Sequence, residues 1–227
     1  MHKIAFIALF SLPLFAGFFP KSVHTSIQSI QQQTATLNTP FPLNGMSGIV
    51  IHDYNSASRA ITSRIVQTDT KGGASLLPTD ILHHDKLPTI KTAVQKGDKV
   101  IGGYLYDTVL VLAPNEKTYT NVIHTYHKKW IHPDLYALFL STHGETQPTK
   151  ANLLQFAKAY QVGLIYIVRK NEAVLLDPIS GKIVGKKSAT TSSQAAQFPF
   201  YMHFDKLDSG WFGNDAKGDY YSSMGAL

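Results

Sequence analysis

The stretch GDKVIGGYLYDTVLVLAPN, residues 97–115, decides the fold, because it holds two short β signals separated by a break. Lys96-Gly97-Asp98 supplies turn chemistry, and the residues that follow alternate or run apolar as far as Pro114. They predict one strand ending near Leu105 and a second over Thr108 to Ala113. Gly102-Gly103 inside the first strand predicts a bulge or sharp bend, the usual way a small sheet curls toward a barrel.

Upstream of this stretch, MSGIVIHDY, RAITSRIVQTD and ASLLP read as further short β-rich runs, with DTKGG as a tight turn. Residues 45–114 are therefore expected to form a β-rich module, a curled sheet or partial barrel. Residues 27–44, IQSIQQQTATLNTPFPLN, are rich in Gln, Thr, Asn and Pro and are expected to be a flexible leader.

Downstream, Asn115 is placed to cap a helix whose apolar stripe is Tyr119, Val122, Ile123 and Tyr126. Lys128 and Lys129 suit its negative end. In WIHPDLYALFLS, residues 130–141, Pro133 fits the first turn of a second helix and Asp134 complements its positive end. His-Pro-Asp thus reads as a helix start, with Leu135, Leu138 and Phe139 as the buried stripe. A third helix is predicted from Thr149 as cap, with Leu153, Phe156, Ala157 and Tyr160 on its apolar face and Gly163 beyond its end. Lys170-Asn171 and Pro178 to Gly181 then divide three apolar runs into an antiparallel meander. Residues 115–185 are accordingly an α+β module of helices packed on a short sheet. The fold class of the whole is α+β. Residues 186–227 are expected to comprise a linker, an aromatic docking segment FPFYMHF, and a loose tail.

Lys3 followed by the apolar run Ile4 to Phe19 has the profile of a secretory signal, assigned to residues 1–26. As a helix that run rises about 24 Å, short of the roughly 30 Å hydrocarbon core, and Pro13 and Gly17 interrupt it. Cleavage is expected after Ala16 or between Ser22 and Ser26, leaving no transmembrane helix in the mature chain. Export places the protein in the periplasm, at the outer membrane or on the cell surface. The sequence has no cysteine, which excludes disulfides, thiolate metal sites and cysteine nucleophiles. Its net charge of +6 is scattered rather than gathered into a groove, so no nucleic-acid partner is expected.

No catalytic signature is present: there is no Gly-x-Ser-x-Gly elbow, phosphate loop, dinucleotide fingerprint or His-Glu-x-x-His. The chain is read as a non-enzyme without cofactor. His124, His127 and His132 form the best histidine cluster, but no acidic residue within their helix completes a ligand set. They are read as surface histidines, and no metal is expected. His83-His84-Asp85 is adjacent rather than spaced, and Asp205, Asp208, Asp215 and Asp219 lack the intervals of a calcium loop.

GDKVIGGYLYDTVLVLAPN, WIHPDLYALFLS, PTKANLLQFAKAYQVGLIYIV and PFYMHF, in this order over roughly residues 45–204, resemble the N-terminal domain family of the plasminogen-binding proteins of Helicobacter and related bacteria. The resemblance implies an exported, envelope-associated, non-catalytic binding protein whose relatives are described as binding host plasminogen. Plasminogen kringles recognise a lysine cation together with a carboxylate. The family's plasminogen binders carry a lysine-rich extension ending in lysine, whereas this sequence closes on Met224-Gly225-Ala226-Leu227. Any kringle recognition is therefore expected to use an internal lysine beside an acid, with Lys128, Lys129 and Asp134 as candidate partner-binding residues. The plain alternative is two solvated cations at a helix end. A structural or adaptor role among other envelope proteins is the alternative function.

Overall fold

The computed structural model of the protein describes residues 17–78, 92–204 and 217–227. Six strands, β1 (Val23–Gln31), β2 (Thr34–Leu37), β3 (Ser47–Asp53), β4 (Arg59–Gln67), β5 (Gly73–Leu77) and β6 (Lys99–Gly102), close into a barrel in the order β1-β2-β5-β4-β3-β6. Every pairing is antiparallel, and β6 closes the ring by pairing with β1 on one side and β3 on the other. Closure leaves no free sheet edge in this half.

The first correction concerns residues 27–44. They are not a flexible leader, because β1 and β2 are barrel staves. Ile27, Ala35 and Leu37 point into the core, while Gln28, Ser29 and Gln31 are exposed. The polar composition is that of the outer face of an antiparallel strand pair, which alternates with the buried face. The fold also reaches further upstream than Gly45: Phe18 and Phe19 pack against Tyr126 and Tyr166, and Val23 pairs with Gly102. Residues 17–26, assigned above to the signal, thus belong to the folded body.

The chain leaves the barrel at Gly103, whose φ of +66° is the left-handed conformation that glycine adopts without strain. It then enters a second, five-stranded sheet as β7 (Thr108–Leu112), so this strand does not belong with the β-rich module to which the sequence assigned it. The order is β11 (Lys182–Ser188), β10 (Glu172–Asp177), β9 (Leu164–Arg169), β7, β8 (Lys129–Ile131). The meander β9-β10-β11 is antiparallel as expected, but β7 runs parallel to both β8 and β9.

Parallel pairing requires crossovers, and helices supply them. α1 (Glu116–Thr125) links β7 to β8 and covers one face; α2 (Pro133–Thr142) and α3 (Lys150–Tyr160) link β8 to β9 and cover the other. Val109 and Val111 pack on the side of the barrel and α1, while Leu110 and Leu112 pack under α2 and α3. The strand is buried on both faces, which is why it reads as an unbroken apolar run. One core therefore runs without interruption from the barrel interior to the α1 face of the sheet.

The predicted caps are observed. Asn115 accepts from the Thr118 N–H, and Thr149 and Asn152 form a reciprocal capping box. Pro133 opens α2, capped by His132. The stripe of α2 is rotated by about one position from the expectation: Tyr136, Phe139 and Leu140 are buried, whereas Leu138 is 53% exposed. Gly163 has a role beyond following a helix. A Cβ there would lie 2.1 Å from the Leu105 carbonyl oxygen, so only glycine lets the α3–β9 link pass this close to the β6–β7 link.

Barrel and sheet are joined by one buried carboxylate. Asp177 Oδ2 accepts from the Ser47 N–H at 2.8 Å and from the Tyr106 hydroxyl at 2.6 Å, while Oδ1 accepts from the N–H groups of Ile179 and Ser180. The described part of the expected loose tail is also a correction: α4 (Tyr220–Ala226) docks on the α2–α3 face, with Tyr220 and Met224 buried. Phe200 and Met202 of the aromatic segment dock on the same face, as expected. Among the described residues no helix is long and apolar enough to cross a membrane.

Candidate functional site

The charged surface of interest forms where β7 and β8 begin. Their parallel register pairs Thr108 with Lys129, so the residues preceding each, Asp107 and Lys128, become neighbours. The Lys128 ammonium sits 2.8 Å from Asp107 Oδ1 and 4.9 Å from the centre of the Phe19 ring. Its side chain is only 15% exposed, whereas that of Asp107 is 78% exposed. Lys129 donates its N–H to the Asp107 carbonyl and exposes its side chain at the sheet edge. The hydrogen bond and charge of Lys128, with a smaller contribution from Lys129, hold the Asp107 carboxyl below the usual carboxylate range. The result is an ionised, outward-facing carboxylate paired with the Lys128 ammonium, with the exposed Lys129 next in the chain.

Lys128 is therefore not a solvated cation at a helix end, and Lys129, though exposed, lies in a strand. α1 stops at Thr125, Tyr126 caps it in an extended conformation, and Lys129 already lies in β8. Asp134 does not supply the anion for Lys128 in this structure, because Asp107 does.

Asp134 belongs to another constellation. Its Oδ1 accepts from the His203 N–H at 2.9 Å, and its Oδ2 lies 2.7 Å from His203 Nδ1 and 3.3 Å from His132 Nδ1. Burial pushes the Asp134 carboxyl up, but the hydrogen bonds from His203 outweigh it and hold the group low. Burial also pushes the His132 imidazole down, favouring its neutral form. The two imidazole rings stack with centroids 4.7 Å apart and planes within 6°. His132 is thus brought to Asp134 and His203 rather than forming a trio with His124 and His127. The sequence reading missed His203, whose only signal was a histidine inside an aromatic docking segment. His83, His84, Asp85, Asp205, Asp208 and Asp215 lie outside the described residues, and Asp219 caps α4.

An open cavity of about 380 Å³ lies between α1 and the segment after β11, lined by Lys117, Asn121, Tyr126, Tyr166, Lys187 and Ser192 among others. The Lys187 ammonium there lies over the rings of Phe18, Tyr126 and Tyr166 at 5.0, 4.8 and 5.6 Å, and donates to the Tyr126 hydroxyl.

A closed antiparallel barrel sharing its core with a helix-covered mixed sheet defines a module of the α+β class. The chain belongs to the family described as plasminogen-binding protein pgbA N-terminal, whose model matches residues 22–225. Among curated proteins it is similar to the plasminogen-binding proteins PgbA of two Helicobacter pylori strains, J99 and 26695. Each is 30% identical over 147 residues, which cover 62% of this chain and 32% of the relative. The match thus spans about a third of the length of these relatives. No solved structure matches the chain.

Proposed function

We propose that this chain is a non-catalytic binding module of an exported envelope protein, and that it engages a lysine-recognising partner of the plasminogen type through Asp107, Lys128 and Lys129. Family membership supports the partner class. The observation that carries the choice of surface is the exposed carboxylate of Asp107 paired with Lys128, with the exposed Lys129 next to it in β8, since a lysine-binding slot needs a cation and an anion presented together. Lys129, the exposed ammonium, supplies the cation, and Asp107 replaces a terminal carboxylate as the anion. Exposed charges contribute little each and are screened by salt, so binding by this patch is weak and salt-sensitive. The test is surface plasmon resonance over immobilised plasminogen. Binding that falls between about 50 and 300 mM salt, over which the Debye length shrinks from roughly 14 to roughly 6 Å, and that is displaced by 6-aminohexanoate supports the proposal. Salt-independent binding that survives the lysine analogue rejects it.

Export rests on the basic start and apolar run upstream of the described fold. Packing supports cleavage after Ala16: removal of residues through 22 would delete Phe18 and Phe19 from the aromatic cluster, and removal through 26 would also delete the pairs of β1 with β6. Cleavage after Ala16 leaves all of these contacts in place. Proteolysis of intact cells distinguishes a surface from a periplasmic location, because only a surface protein is digested.

A further inference from the structure

We propose that His132, Asp134 and His203 bind a divalent transition-metal ion of the zinc type. One donor atom from each of the three residues lies within 4.8 Å of the others. Of the contacts of Asp134 Oδ2 with the two Nδ1 atoms, the 3.3 Å one matches and the 2.7 Å one falls short of the separation of about 3.3 Å between ligand atoms that tetrahedral zinc requires at bond lengths near 2.0–2.1 Å. The two imidazoles, now stacked with planes within 6°, must tilt toward each other so that both in-plane lone pairs meet the ion.

The donor chemistry selects the class. Two imidazoles and one carboxylate suit zinc and neighbouring borderline ions, whereas calcium and magnesium require mostly oxygen. The surroundings also orient the ligands. The Tyr201 hydroxyl lies 3.1 Å from His203 Nε2, fixing the face of that ring that turns toward Asp134. The Tyr119 ring packs edge-on against His132 with centroids 5.2 Å apart. Such outer partners are how proteins set the ring orientation of ligating histidines.

Two features oppose a cation and are outweighed. Asp134 sits in the first turn of α2, whose positive end disfavours positive charge, but its own carboxylate faces the ion. His132 Nδ1 accepts the Asp134 N–H at 3.2 Å, a long bond that gives way to a metal bond. Three protein ligands leave a fourth position open to water or to a partner's side chain. Because His203 follows the linker and Asp134 begins α2, the ion would also pin the aromatic docking segment to that helix.

The experiment is calorimetric titration of the chelator-treated full chain with zinc sulfate, with cobalt absorption as a second readout. Saturation at one zinc per chain, intense visible bands of four-coordinate cobalt, and at least tenfold weaker binding in the His203→Gln and Asp134→Asn variants are expected. His203 is exposed and caps no helix, so its variant reports on ligation rather than on folding. The His124→Ala and His127→Ala variants are expected to bind zinc as the parent does. Failure to bind one zinc, or undiminished binding in His203→Gln, would overturn the assignment; so would equal binding of calcium.

Discussion

Replacing Asp177 by Ala tests whether barrel and sheet are one cooperative unit. The carboxylate is fully buried and accepts four hydrogen bonds, two from the barrel side and two from the turn after β10. Truncation leaves the Tyr106 hydroxyl, itself 2% exposed, and the Ser47 N–H without an acceptor. Each such orphan costs about 1–3 kcal/mol, while the turn N–H groups of Ile179 and Ser180, which are only partly buried, recover water. Burial pushes the Asp177 carboxyl up despite the bonds from Tyr106 and Ser47, so part of their worth already offsets desolvation. The expected loss for Asp177→Ala is therefore about 3–5 kcal/mol. Asp177→Asn, which keeps one acceptor oxygen, should lose about 1–3 kcal/mol. Tyr106→Phe removes one of the same bonds, so the double mutant with Asp177→Ala should be less destabilised than the sum by about 1–2 kcal/mol. Urea denaturation followed by circular dichroism supplies all of these values. A loss below about 1 kcal/mol for Asp177→Ala, or strict additivity with Tyr106→Phe, would refute the idea that this carboxylate joins the halves.

Gly163→Ala should cost about 1–3 kcal/mol or more, because its Cβ would overlap the Leu105 carbonyl; thermal denaturation decides, and an unchanged midpoint would contradict the close approach. Tyr220→Phe removes the hydroxyl that donates to the Leu112 and Val168 carbonyls and should lower stability by about 1–2 kcal/mol while increasing proteolysis near α4; equal resistance to proteolysis would show that α4 is held otherwise. Asp107 and Glu172 have folded values held below their unfolded ones by Lys128 and Lys186. Their contribution is complete above about pH 5 and is lost as pH falls through the lowered values. Asp177, which burial raises, opposes that slope equally in parent and variant. An Asp107→Asn variant should accordingly show a flatter fall in urea midpoint from pH 6 to pH 3 than the parent; an identical profile would mean the pair contributes nothing. N-terminal sequencing of the native exported protein should begin at Gly17, and a start between residues 23 and 27 would contradict the packing argument for Phe18 and Phe19.

Local signals in the sequence were reliable where the structure is local. The Asn115 cap, the Pro133 helix start, the Thr149 cap and the meander turns each depend on a few adjacent residues, and each is observed. β1 and β2 pair with each other as a hairpin, but they were illegible as barrel staves because their other sheet neighbours, β5 and β6, are distant in sequence, as in the pairs Thr34 with Ser75 and Val23 with Gly102. The polar residues between Ile27 and Leu37 describe only the outer face. The parallel pairing of β7 was hidden for the same reason, since an apolar run fits either sheet direction. α4 did leave a signal: Tyr220, Met224 and Leu227 recur at helical spacing and are all buried, but the surrounding Gly, Asp and Ser masked it. Among the candidate binding residues, the sequence reading set Lys128 and Lys129 beside Asp134 as their anion, on sequence distance. Parallel strand register brings Asp107, 21 residues upstream of Lys128, to that place instead.

The measurement that tests the functional account most directly compares the parent with Lys129→Ala, Asp107→Asn and Asp134→Asn variants over immobilised plasminogen. Weak binding by the parent, displaced by 6-aminohexanoate, reduced at least severalfold in Lys129→Ala and Asp107→Asn and retained in Asp134→Asn, is the result the account predicts. Parent-like binding by Lys129→Ala and Asp107→Asn, or its loss in Asp134→Asn with those two unaffected, would contradict it.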